Sequence, residues 1–160
     1  MALTVVQKKM IGHGALILFV GMLAGIGLLI GLLGGIELIP GHIIPFSIPG
    51  NTEAWVRTHI GGMMNGTLII LVGTLLSGLG FSEAAAKRMS WMLVGTGWAN
   101  TLFYWAALFA PNRALSFADN KWGSSNLASI IGLVPALLFA VISLIAVFML
   151  AKQAFASAKA

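Results

Sequence analysis

Four apolar stretches, at about 13–36, 59–80, 89–110 and 128–151, dominate this chain of 160 residues. Each is close to the ~20 residues a helix needs to cross the hydrocarbon of a bilayer. With 59% hydrophobic and only 8% charged residues, against roughly 25% charged in an ordinary soluble domain, the chain cannot build a water-facing surface around them. The expectation is a single all-α domain over residues 1–160, an integral membrane four-helix bundle. The first stretch exceeds the roughly 7–15 apolar residues of a signal peptide and no small-residue cleavage site follows it, so it reads as a span.

The net charge of +5 is distributed as a topology signal. Lys8 and Lys9, Lys87 and Arg88, and Lys152 and Lys159 fall in the three segments that an even number of spans puts on one side. The other side holds Arg57, Arg113 and Lys121, offset by Glu37, Glu53 and Asp119. The positive-inside bias then places both termini in the cytoplasm, with the chain in the inner (cytoplasmic) membrane. The surplus meets anionic headgroups and is not a nucleic-acid patch. The absence of cysteine excludes disulfides and thiolate chemistry.

The connection from Glu37 to Asn51 carries Pro40, Pro45 and Pro49, yet it is apolar through Leu38, Ile39, Ile43, Ile44, Phe46 and Ile48. It should lie at the membrane surface or fold over the bundle mouth. Ser82 is placed to cap the third helix. The loop from Pro111 to Asn126 reads as ordinary solvated polar chain. Pro135 should kink the fourth helix, its freed carbonyls satisfied inside the bundle. Gly21/Gly25, Gly27/Gly31/Gly35 and Gly62/Gly66 make small-xxx-small patterns that let backbones approach closely, within a subunit or between subunits.

Few residues could carry chemistry. His13 reads as interfacial, and His42 as a hydrogen bond holding the proline-rich loop. His59 stands in the first turn of the second predicted span, where a buried imidazole is expensive. Gly61 and Gly62 behind it would clear space for something flat. His59 is either a ligand to haem iron, for which one imidazole can suffice, or a hydrogen-bonded helix-end histidine. Thr96, Asn100 and Tyr104, at i, i+4 and i+8, line one face of the third span. They form either an internal network or the polar wall of a site. Trp91, Trp98 and Trp105 make a second stripe at i, i+7 and i+14, for packing or lipid. No Asp or Glu lies within a predicted span, which disfavours a proton relay or ion-coupled pump. Paired carboxylates, HExxH and a nucleotide fingerprint are also missing. If the chain is an enzyme, a cofactor must supply the hard step.

Five stretches, in order, resemble the styrene oxide isomerase family: Lys9-Met-Ile-Gly-His-Gly14, Gly35-Ile-Glu-Leu-Ile-Pro-Gly41, Ala54-Trp-Val-Arg-Thr-His59 with Asn65-Gly66, Gly97-Trp-Ala-Asn100 with Phe103-Tyr104, and Pro111-Asn-Arg113. The resemblance runs over roughly residues 8 to 150. It implies a small membrane isomerase that turns aryl epoxides into arylacetaldehydes and works as a homotrimer with haem b at its subunit interfaces. It makes His59 the axial ligand of the iron; Gly62, by its place just after His59, is expected beside the cofactor. It gives Asn65 and Tyr104 the epoxide site; the helical face shared with Tyr104 adds Thr96 and Asn100 to the expected substrate pocket. His59 and Asn65 lie six residues apart, about 120° around a helix. One haem would therefore take His59 from one chain and Asn65 and Tyr104 from the next. Ferric iron would act as a Lewis acid on the epoxide oxygen, followed by a 1,2-hydride shift. The family pattern leads one to expect an aspartate where this chain has Thr96. Two other classes stand beside this reading: a b-type haem electron carrier, with His13 as second ligand, and a cofactor-free transporter or structural bundle.

Overall fold

The computed structural model describes residues 2–159. It is mostly helical, in the order α1 (Val5–Leu33), β1 (Gly35–Ile39), β2 (His42–Pro45), α2 (Thr52–Leu75), α3 (Glu83–Ala107) and α4 (Leu127–Ser157). Three helices begin six to eight residues before the apolar stretches that announced them. Their first turns are polar and escape a hydropathy reading, but each has a cap. Thr4 accepts from Gln7 N in a capping box, Asn51 accepts from Ala54 N, and Ser82 accepts from Ala85 N. His59 is consequently not in the first turn of its helix but in the third.

α1, α2 and α4 are long and apolar enough to cross a membrane. α3, expected as a span over 89–110, falls short of that measure because its interior carries Thr96, Asn100, Thr101 and Tyr104. It is also the helix that packs against all three others, so less of its surface must be apolar. α4 approaches α3 alone among the helices. Within one described chain the helices therefore form an open array around α3, not a closed bundle. Leu16, Phe19, Ile26, Leu138, Leu144 and Phe148 stand exposed along α1 and α4, a surface that only lipid or another subunit can cover.

The all-α expectation misses a hairpin. Gly34, at φ +69°, ends α1 in the left-handed conformation. Pro40-Gly41 then reverses the chain, with Gly41 at φ +80° and Glu37 accepting a hydrogen bond from Gly41 N. β1 and β2 pair antiparallel, Ile36 opposite Ile44 and Ile39 opposite His42. An apolar strip that cannot continue a helix satisfies its backbone by pairing with itself. Among the described residues the His42 side chain has no hydrogen-bond partner, so the ladder holds this segment, not that imidazole.

The glycine patterns resolve as packing inside one chain. A Cβ on Gly21 would lie 2.7 Å from Met63 N, and one on Gly62 2.7 Å from Gly21 Cα. Gly14 and Gly66 repeat the contact two turns away, and Gly27 leaves room for the Trp55 ring. The loop after α3 is more than solvated chain. Asn112, fully buried, donates to the carbonyls of Ser116 and Ala118 and accepts from Ala114 N and Ser129 Oγ. Arg113 pairs with Glu53 at 2.9 Å and lies 3.6 Å over the Trp122 ring. The loop is thereby tied to the head of α2.

Candidate functional site

α2 presents two working faces. Along one, Trp55, His59, Gly62 and Gly66 meet α1; along the other, Thr58, Gly61 and Asn65 meet α3. The His59 ring lies against Gly25, where a Cβ would come 2.9 Å from ring Cε1. His59 Nδ1 is 2.9 Å from the carbonyl oxygen of Gly21. A carbonyl can only accept, so Nδ1 carries the proton and the Nε2 lone pair is left without a partner among the described residues. A backbone carbonyl that sets the tautomer and ring direction is the support a metal-bound imidazole uses.

On the other face the Tyr104 ring is seated over Gly61, where any Cβ would collide with it. Asn65 Nδ2 donates to Gly61 O at 2.7 Å, and Asn100 Nδ2 donates to Asn65 Oδ1 at 3.1 Å. Asn65, Asn100 and Tyr104, from two helices, thus form one half-buried polar group, and the Tyr104 hydroxyl makes no hydrogen bond within it. Thr58, which the sequence reading passed over, is buried and reaches the Tyr104 carbonyl at 3.2 Å. Its only sequence signal is its place beside His59. Trp55 was passed over too. It donates to Pro49 O at 2.9 Å and packs edge-on against Trp105.

Two expected members do not join. Thr96 is buried with its hydroxyl on Met92 O at 2.7 Å and 3.4 Å from Phe139 O on α4. Each i+4 step drifts about 40° around a helix, so two steps turn Thr96 away from Tyr104 and toward α4. Gly62 does not open on a cavity, because the α1 backbone fills the space beside it, and Gly61 makes room for Tyr104. The Thr96–Asn100–Tyr104 network does not form either: Asn100 bonds across to Asn65. The tryptophan stripe likewise divides, Trp91 against Phe139, Trp98 against His13 and Trp105 against Trp55.

The surroundings of Thr96 predict the effect of Thr96→Asp. Both hydrogen-bond partners of its side chain are carbonyl oxygens, so a carboxylate there would meet these acceptors in place of donors. The variant should lose about 1–3 kcal/mol of stability without gaining turnover, measured by thermal unfolding in detergent and by steady-state rates. A stable, faster variant would return this position to the substrate pocket.

No group of three or more His, Asp or Glu could hold a bare metal ion among the described residues. A single oriented imidazole instead suits an iron whose other ligands come from a porphyrin, so His59 fits that group. A two-histidine haem within one chain does not fit. His13 accepts from the Trp98 indole at 3.3 Å and stands about 15 Å along α1 from the Gly21–Gly25 segment that holds His59. A cavity of about 770 Å³ lies at the opposite end beside Gln7, Lys9 and Lys87. It touches none of the candidate residues.

A family model described as "Styrene oxide isomerase" matches residues 6–155 of this chain. The curated "Styrene-oxide isomerase" of Pseudomonas fluorescens is 40% identical over 151 residues, covering 94% of this chain and 89% of that protein.

Proposed function

The chain belongs to the styrene oxide isomerase family, and from that premise we propose that it is an inner-membrane isomerase, termini cytoplasmic, converting styrene oxide or a close aryl epoxide to the arylacetaldehyde. The observation that carries the site is the division of α2 into a histidine face and a polar Asn65–Asn100–Tyr104 face. His59 would hold haem b, which supplies ferric iron as a Lewis acid toward the epoxide oxygen. Because the two faces point to different helices, the reading includes a homo-oligomer, a trimer by family resemblance, in which neighbouring chains complete one site.

The chain's own residues position and protect. The Tyr104 hydroxyl and the Asn65 amide, held by Asn100, are the donors available to orient an epoxide so that one hydrogen migrates. In the rearrangement the benzylic C–O bond breaks, the aryl ring carries the developing positive charge, and hydride moves from the neighbouring carbon as the carbonyl forms. No atom is gained or lost. Water would trap the cation as a diol, so the apolar setting of Trp55, Trp105 and Phe103 favours the aldehyde.

The test is styrene oxide carrying two deuteriums on its terminal carbon, given to the purified protein. The expected product is phenylacetaldehyde with both labels kept, one at the benzylic carbon. Label lost to water, or diol as the main product, would sink the hydride-shift reading. An absorption spectrum without a Soret band would remove haem from it.

Tyr104→Phe should leave the cofactor bound and slow turnover. Loss of one hydrogen bond to a neutral oxygen is worth about 0.5–1.5 kcal/mol, or roughly three- to tenfold in rate. A proton-transfer role would cost about a hundredfold or more. The rate and the enantiomeric preference for styrene oxide, measured together, separate these, and no change in either would take Tyr104 out of the site.

A further inference from the structure

Arg57 is a cation without an anion. It sits half-buried on α2, one turn before Gly61, and its Nη2 is sealed from solvent with no hydrogen-bond partner. The four acidic side chains of the chain are engaged elsewhere: Glu53 with Arg113, Glu83 with Lys87, Glu37 with Gly41 N, and Asp119 with Ser125 N. An unpaired guanidinium in an apolar helix is costly, and among the described residues no carboxylate meets it.

Its position narrows the choice. Arg57 and His59 are about 200° apart around α2, while Arg57 and Gly61 share a side. Arg57 therefore lies on the Gly61 side of α2, the side that meets Tyr104, about 6 Å nearer the start of the helix than Gly61. A guanidinium so close to a helix end could snorkel to the headgroups; instead Nη2 is turned inward. We propose that Arg57 binds a carboxylate of the haem whose open face meets Asn65 and Tyr104. The proposal rests on the haem reading above. Haem b carries two carboxylates on one edge, and the planar fork of arginine matches a carboxylate. Held this way, the carboxylate edge would be anchored by a charge-assisted hydrogen bond from Arg57.

The probes are ferric haem and its dimethyl ester, whose carboxylates are masked, added to apoprotein in phosphatidylcholine nanodiscs. Binding is followed by the Soret band and by the rate of transfer to apomyoglobin. Wild type should hold haem about tenfold to a hundredfold more tightly than the ester, the scale of a charge-assisted hydrogen bond. Arg57→Gln should erase that preference and Arg57→Lys keep part of it, with the Soret position unchanged because His59 remains the ligand. Equal affinity of wild type for both probes would overturn the proposal without needing any variant to fold. So would an undiminished preference in a folded Arg57→Gln. If Arg57→Gln speeds haem loss only when phosphatidylglycerol is present, the partner is a lipid phosphate and the proposal fails while the haem reading stands. If wild type binds neither probe, the haem reading falls and takes this one with it.

Discussion

His59→Ala is expected to yield a protein that still folds, carries little haem and has lost its isomerase activity. The ring is half-buried and makes one hydrogen bond, to Gly21 O. Losing that bond costs about 1 kcal/mol, small beside the roughly 5–15 kcal/mol that holds a typical domain folded. The chemical loss is of a different order. Lewis-acid stabilisation is worth several kcal/mol at about 1.4 kcal/mol per tenfold, so the rate should fall about a thousandfold or more. Soret absorbance per chain, helical circular dichroism and aldehyde formation together check the claim. Full haem occupancy in the alanine variant would move the ligand elsewhere, with His13 the next to replace.

Gly62→Leu should do the reverse and damage the fold first. The atom nearest a Cβ at this position is the Gly21 Cα, at 2.7 Å, and backbone cannot swing aside as a flexible side chain can. Leucine must drive α1 off α2. Overpacking alone typically costs about 1–3 kcal/mol. Here the displaced stretch also carries the Gly21 carbonyl that orients His59, so haem binding should fail along with stability. Gly12→Leu is the matched control, since nothing lies within 4 Å of a Cβ there. Thermal unfolding in detergent should show a clear drop for Gly62→Leu and almost none for Gly12→Leu. A Gly62→Leu chain that melts normally but falls apart into monomers would mean that the glycine serves a subunit interface.

Much of this was legible along the chain, for reasons that are local. Apolar run length announces helices, and the residues that cap them are short polar side chains just outside the run. Ser82 was found this way; Thr4 and Asn51 were overlooked because hydropathy rises only after their polar first turns. The cost of an imidazole in a span singled out His59, and a stripe of polar residues along α3 singled out Tyr104 and Asn100. The six-residue step from His59 to Asn65 indicated that they point to different neighbours, since that angle belongs to any α-helix. The interior role of Asn112 was not visible, because a buried amide that ties a loop together looks the same in sequence as any loop asparagine.

What spacing leaves open is which neighbour each face meets. Thr96 and Asn100 share a stripe in sequence, yet the placement of α4 takes Thr96 and that of α2 takes Asn100. Gly61 and Gly62 are equivalent as letters, but one admits the Tyr104 ring and the other the α1 backbone. The hairpin at Gly35–Pro45 and the unpartnered Nη2 of Arg57 are likewise matters of long-range pairing, made or missing. By itself the sequence determined that this chain is helical and apolar, and which residue types it can bring to bear, because hydropathy, helix period and caps act within a few residues. Only the tertiary structure decided that the His59 proton is held by Gly21, and that Asn65, Asn100 and Tyr104 stand together without Thr96. Those contacts join residues dozens of positions apart, and the packing angle between helices, which no single helix encodes, selects them.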